Sequence, residues 1–274
     1  MPDSLTPYLP WLIPSAATAA TLLLLAGWLH LNPRLGGAGK AVAAICCKAP
    51  MLDLIVAVMT WVPWVTFSIL YGWRGFLASL AGQMVALGVW CFLHEQAHPA
   101  ARKGPRIVKS LNRIVGRGPN HLALWATLIA VPVFWTIRLG QITSYPLLML
   151  IVSFPRYKHS EWVNVSRQKF SGLVGHDLIW CLYCDWMTGV YSLGAEMLRN
   201  VESFWCPIRF YDGKKCDNCK TDFPDIEKGW VPANGTMADV AQAVESHYAS
   251  GQREWFNHPA RLTVEGKTIS KKLS

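Results

Sequence analysis

Five of the eight cysteines fall in one stretch, Cys181, Cys184, Cys206, Cys216 and Cys219, and four of them make two C-x2-C pairs. A C-x2-C unit brings two soft sulfur ligands to one ion, and two such units close a tetrahedral site. The expectation is a zinc ion held by Cys181, Cys184, Cys216 and Cys219, with iron as the alternative metal. Lys214, Lys215 and Lys220 surround the second pair, which reads as a tight knuckle-like loop, and their charge favours thiolate over thiol. Cys206 is a spare ligand or a free thiol, and His176 is a further candidate ligand. Oxidised in pairs, the same cysteines would instead make a membrane thiol redox protein. Cys46, Cys47 and Cys91 have no evident ligand partner.

A second constellation lies upstream. His94-Glu95-Gln96-Ala97-His98 matches H-E-x-x-H, in which two histidines one helical turn apart hold zinc while the glutamate activates water. Pro99 follows directly and disfavours helical geometry at His98. A third ligand would have to be an unmarked residue such as Glu161, Glu196 or Glu202. The cluster reads equally as an interfacial polar cap, or as part of a metal or haem site with His30 or His121. P-loop, dinucleotide-fingerprint, nucleophile-elbow and C-x-x-C-H patterns are absent from the sequence, so no catalytic set is assigned.

The elements that must carry these residues are mostly apolar. Hydrophobic residues make up 52% of the chain and charged residues 16%, unusual proportions for a soluble protein. Residues 12–31 hold one strongly polar side chain, His30, and residues 54–71 and 76–93 carry no charge. Each approaches the roughly 20 residues that cross a bilayer as a helix. Residues 122–154 read as two short helices turning near Gly140, Ser144 and Pro146, with Arg138 snorkelling to the interface. The expected fold is therefore an all-α multi-span membrane protein of about five helices over residues 1–155, followed by a small cytoplasmic, metal-stapled α+β domain over residues 156–274.

Basic residues orient the spans. Arg34, Lys40 and Lys48 follow the first segment, and Arg102, Lys103, Arg106, Lys109, Arg113 and Arg117 lie in a basic loop over residues 99–120. Both loops are expected in the cytoplasm and the N-terminus outside, since only Arg74 separates the second and third segments. Within the basic loop Ile107, Leu111, Ile114 and Val115 share one helical face, the pattern of an interfacial helix that attracts anionic headgroups; a plain positive-inside loop is the alternative. The net charge of +9 sits largely in these loops, which points to lipid and not to nucleic acid as the acidic partner. No protein partner is indicated.

Residues 170–201 read as an amphipathic helix with Asp177, Cys181, Cys184, Asp185, Thr188 and Ser192 in one stripe. Thr236 and Asp239 mark the start of a helix to about Ser250, and residues 262–270 suggest a hairpin around Glu265-Gly266. Taken together, the expected function is an integral membrane protein with a metal-binding cytoplasmic domain, acting as a membrane enzyme or an accessory or assembly factor. A metalloprotease using His94, Glu95 and His98 and a thiol redox protein are the alternatives.

Overall fold

Apolar runs without internal breakers propagate as helices, and in a computed structural model of the chain helices dominate. The structure describes residues 6–210, 213–223, 226–249, 251, 253, 255, 260–262 and 268–270. Its helices are α1 (Leu9–Leu31), α2 (Gly36–Cys46), α3 (Met51–Met59), α4 (Trp61–Ala97), α5 (Pro99–Lys103), α6 (Ile107–Val115), α7 (Arg117–Ala126), α8 (Val131–Val152), α9 (His159–Trp162), α10 (Gly175–Trp205), α11 (Gly213–Asp222), α12 (Ile226–Gly229) and α13 (Met237–Tyr248). Two three-residue strands, β1 (Ala260–Leu262) and β2 (Thr268–Ser270), pair antiparallel. The expected hairpin turn at Glu265-Gly266 lies outside the described residues.

Three helical stretches are long and apolar enough to cross a membrane, Thr6–Arg34, Trp61–Ala97 and Arg117–Val152, where the sequence suggested five. Part of the difference is a reversal within α4. Gly72 takes φ 61° and ψ −150°, a backbone state open to glycine and closed to most other residues. Across it Trp64 Nε1 donates to Gln83 Oε1 at 2.8 Å, although 19 residues of straight helix would separate them by about 28 Å. The two limbs of α4, residues 61–71 and 73–97, are thus an antiparallel hairpin; the second limb contains the third apolar segment, whereas the second segment is divided at Thr60 between α3 and the first limb. The other difference is a correction. No turn interrupts residues 131–152, because α8 continues through Pro146. A proline deletes one ladder hydrogen bond and kinks a helix without having to end it.

The chain divides into two compact units, residues 1–132 with 158–190 and residues 133–157 with 191–274. In the first unit α1 runs parallel to the second limb of α4: Trp11 meets Trp73 edge-on at 5.7 Å, and His30 meets His94 at 5.6 Å. The contact is made by small residues. Ala78, Ser79, Gly82 and Ala86 are buried on α4 and Pro14, Thr18, Leu22 and Ala26 on α1, Gly75 packs against Phe67 on the first limb of α4, and Leu24, Ile69, Leu70, Val85 and Phe92 face outward. That is the reverse of a water-soluble bundle. At the end opposite Gly72, residues 158–190 pack against the α2–α3 link through Ala49 N–H to Val163 O at 2.9 Å and Trp186 Nε1 to Asp53 Oδ1 at 3.1 Å.

Placed across a bilayer, the hairpin predicts that Gly72 and Gly104 face opposite sides. Topology reporters fused after Arg74 and after Gly104 should give opposite compartment signals; the same signal at both would contradict the reversal.

In the second unit Cys219, Phe223, Ile226, Trp230, Tyr248 and Trp255 form an apolar core. Asn200 ties it together, accepting from the Trp255 backbone N–H at 2.9 Å and donating to the Tyr157 hydroxyl. The expected cap of α13 is present as a reciprocal capping box between Thr236 and Asp239. Three expectations are corrected here. The α+β domain is not supported, since among the described residues of this unit regular structure is helical apart from the two three-residue strands. Lys214 to Asp222 is helix α11 and not a knuckle-like loop, because burying Cys219 and Phe223 one turn apart favours helical spacing. Arg138 is 1% exposed and donates to Gln141 Oε1 at 2.8 Å instead of snorkelling.

Candidate functional site

The ends of α4, α6 and α10 meet within the first unit at a buried ion network. Arg106, the residue preceding α6, donates from Nε to Asp177 Oδ2 at 2.8 Å and from Nη2 to Glu95 Oε1 at 2.9 Å. Its Nη2 also reaches Val174 O at 3.0 Å. Asp177 accepts in addition from the backbone N–H groups of Ile107 and Val108, both at 3.1 Å. It thereby caps α6 from another part of the chain, satisfying donors that a helix start leaves without intrahelical partners. Burial would raise the Asp177 pKa, but neighbouring His176, the Arg106 guanidinium and the amide of Val108 pull it down to about 2. Gly175 lets the chain pass this close: a Cβ there would lie 2.4 Å from Glu95 Cγ, and its φ is +51°.

Three imidazoles converge beside this network. His94 and His98 stack at 4.4 Å between ring centres, and His30 lies edge-on to both at 5.6 and 5.8 Å. The hydrogen bonds set their tautomers. The Gly175 N–H donates to His94 Nδ1 at 3.2 Å, which leaves the His94 proton on Nε2. His98 Nδ1 donates to the His94 carbonyl at 2.9 Å, which leaves its Nε2 as an acceptor. A zinc protease needs both Nε2 lone pairs on the metal and a glutamate free to take a proton from water. Here His94 Nε2 carries hydrogen, Glu95 is paired with Arg106, and His98 stands just beyond the last turn of α4, before Pro99. On the far side of Asp177, His176 Nε2 accepts from Trp180 Nε1 at 3.1 Å and packs edge-on to His121.

α6 itself is the amphipathic helix that the sequence suggested. Ile107, Ile114 and Val115 are at least half exposed, 76% at Ile114, and Leu111 on the same face is 38% exposed, so much of this face is open among the described residues. Beside it opens a cavity of about 500 Å3, walled by Ala101, Pro105, Ile107, Phe170 and Leu173, with Asp177 among its lining residues.

The four cysteines expected around zinc divide between the two units. Cys181 and Cys184 project from α10 in the first, both partly buried, and burial pushes the Cys181 thiol up. The adjacent Asp185 carboxylate is taken up by the backbone N–H groups of Ser166 and Arg167. Cys216 and Cys219 lie one turn apart on α11 in the second unit, with Cys219 3% exposed inside the apolar core. Among the described residues no group of three or more histidines, cysteines and carboxylates is arranged to hold a metal ion. The Glu95–Arg106–Asp177 network was not foreseen in the sequence. The available signals were an aspartate inside a largely apolar helical run and, 71 residues upstream, an arginine at the start of a basic helix.

Set against protein-family models, curated proteins and solved structures, the chain matches none.

Proposed function

We propose that this chain is an integral membrane protein whose basic end, facing the cytoplasm, holds anionic lipid at the bilayer surface. One observation carries the proposal: α6 presents Ile107, Ile114 and Val115 outward while Arg106 ties its start to Glu95 on the membrane-length α4 and to Asp177 on α10. An apolar face left open, backed by Lys109 and Arg113 on the opposite side of α6 and followed by Arg117 at the start of α7, suits the headgroup layer, where acyl chains cover the apolar side and phosphates meet the cations. The inside-out packing of α1 against α4 supports embedding in lipid. The apolar wall of the cavity beside α6 would take the upper acyl carbons of the bound lipid.

Hydrogen exchange tests this on the full chain in nanodiscs. Residues 107–115 should exchange more slowly in discs containing phosphatidylglycerol than in discs of phosphatidylcholine alone. Lys109→Gln combined with Arg113→Gln should remove most of the difference, as each cation near an anionic surface contributes about 1 kcal/mol. Equal exchange in both lipids would overturn the proposal.

A further inference from the structure

We propose that His94 and the Gly175 N–H form an acid-sensitive clasp: protonation of the imidazole releases the start of α10 from the end of α4 and, with it, the anchor of α6. The clasp works through the polarity of one hydrogen bond. A backbone N–H can only donate, so the 3.2 Å contact from Gly175 requires a lone pair on His94 Nδ1. An imidazolium carries hydrogen on both ring nitrogens and would set donor against donor here. His98 behaves differently. Its Nδ1 already donates to the His94 carbonyl at 2.9 Å, and it can take a second proton on Nε2 without losing that bond. Two neighbouring imidazoles thus answer acid in opposite ways, and His94 is the one that carries the clasp.

The charged groups around the ring oppose a cation there as well. From α1, His30 lies edge-on at 5.6 Å, and Arg34 just beyond it hydrogen-bonds the His30 carbonyl. On α4 itself His98 stacks at 4.4 Å, and the adjacent Glu95 carboxylate is paired with Arg106 at 2.9 Å. From α10 the ring meets the first residue of a 31-residue helix, its positive end. Of the next two residues, His176 is turned to Trp180 and His121, and Asp177 is taken up by Arg106 and two amides of α6. Release at Gly175 spreads because its neighbours hold the network. The Val174 carbonyl accepts from Arg106 Nη2 at 3.0 Å, and Asp177 caps α6. Opening takes up a proton, so the clasp is complete above the ordinary imidazole pKa of about 6.5 and weakens as pH falls below it. Asp177 stays ionised in that range, its own pKa being about 2. The clasp stands whether or not α6 holds anionic lipid.

Hydrogen exchange on the full chain gives the test, in nanodiscs of phosphatidylcholine alone and with intrinsic rates corrected for pH. From about pH 7.5 to about pH 5.5, peptides covering Gly175 and residues 107–108 should lose protection by several-fold, up to about tenfold, as expected about one pH unit below the imidazole pKa. His94→Asn sets an amide oxygen where Nδ1 stood and accepts at both pH values, so its protection should stay level. His30→Gln and His98→Gln should keep the wild-type response. Ring-nitrogen chemical shifts of wild type give a check that needs no variant: near neutral pH His94 should be uncharged with its proton on Nε2. Equal wild-type protection at the two pH values, or a neutral-pH His94 protonated on Nδ1, would overturn the clasp. So would a response that survives in His94→Asn or disappears in His98→Gln.

Discussion

Asp177→Ala is expected to lower the stability of the full chain by about 3–5 kcal/mol, because it leaves Arg106 buried with half of its countercharge removed. The Arg106 side chain is 3% exposed and that of Asp177 4%. The substitution also strips the first two N–H groups of α6 of their acceptor, so α6 should fray along with the ion pair. Asp177→Asn keeps one acceptor oxygen and should lose less. Coupling gives a sharper test: once Asp177 is alanine, adding Arg106→Met should cost far less than Arg106→Met alone. Thermal melts in detergent, followed by tryptophan fluorescence, report all of these. An Asp177→Ala melt matching wild type would show that the network does not hold the fold.

The same group sets a pH dependence. Its folded pKa, about 2, lies below the ordinary 3.8, so the folded state favours the carboxylate. The resulting stability is fully present above pH 3.8 and is lost as pH falls from there through 2. Asp177→Asn should flatten this part of the acid profile. An unchanged acid profile would place the acid sensitivity elsewhere.

How much of this was legible in the sequence depended on the range of the interaction. Local signals carried through: the uncharged run at residues 76–93 became the second limb of the α4 hairpin, that at residues 54–71 is helical on both sides of a break at Thr60, and the Thr236/Asp239 cap and the basic amphipathic α6 appear where their spacing places them. Each is decided within one or two helical turns. The pairing of Arg106 with Asp177 is not, because 71 residues separate them and only tertiary packing brings them together. Arg138 was misplaced for a related reason. Snorkelling is the remedy for an isolated arginine in lipid, whereas a partner such as Gln141, on the same helix, permits burial. The knuckle-like reading of the second cysteine pair weighed its lysines above the spacing of Cys219 and Phe223, and the buried apolar face prevailed.

Gly82→Ala is expected to be the single-methyl change that most directly disrupts the contact of α1 with α4. A Cβ at Gly82 would stand 2.2 Å from the backbone oxygen of Ser15 on α1, and backbone cannot rotate away as a side chain can. The two helices would have to separate along the stripe of Ser79, Gly82 and Ala86 that faces Thr18 and its neighbours. In lipid no hydrophobic driving force restores the contact, because close packing is itself the source of association. Overpacking of this kind costs about 1–3 kcal/mol and can exceed that where only backbone is available to move. Gly88 is the matched control on the same helix, since a Cβ there meets nothing within 4 Å. Gly88→Ala should melt at or slightly above wild type, because alanine is the better helix former by about 1 kcal/mol. Equal melting of the two variants would mean that α1 and α4 do not approach at Gly82. The parallel pairing that brings His30 to His94 would then lose its support.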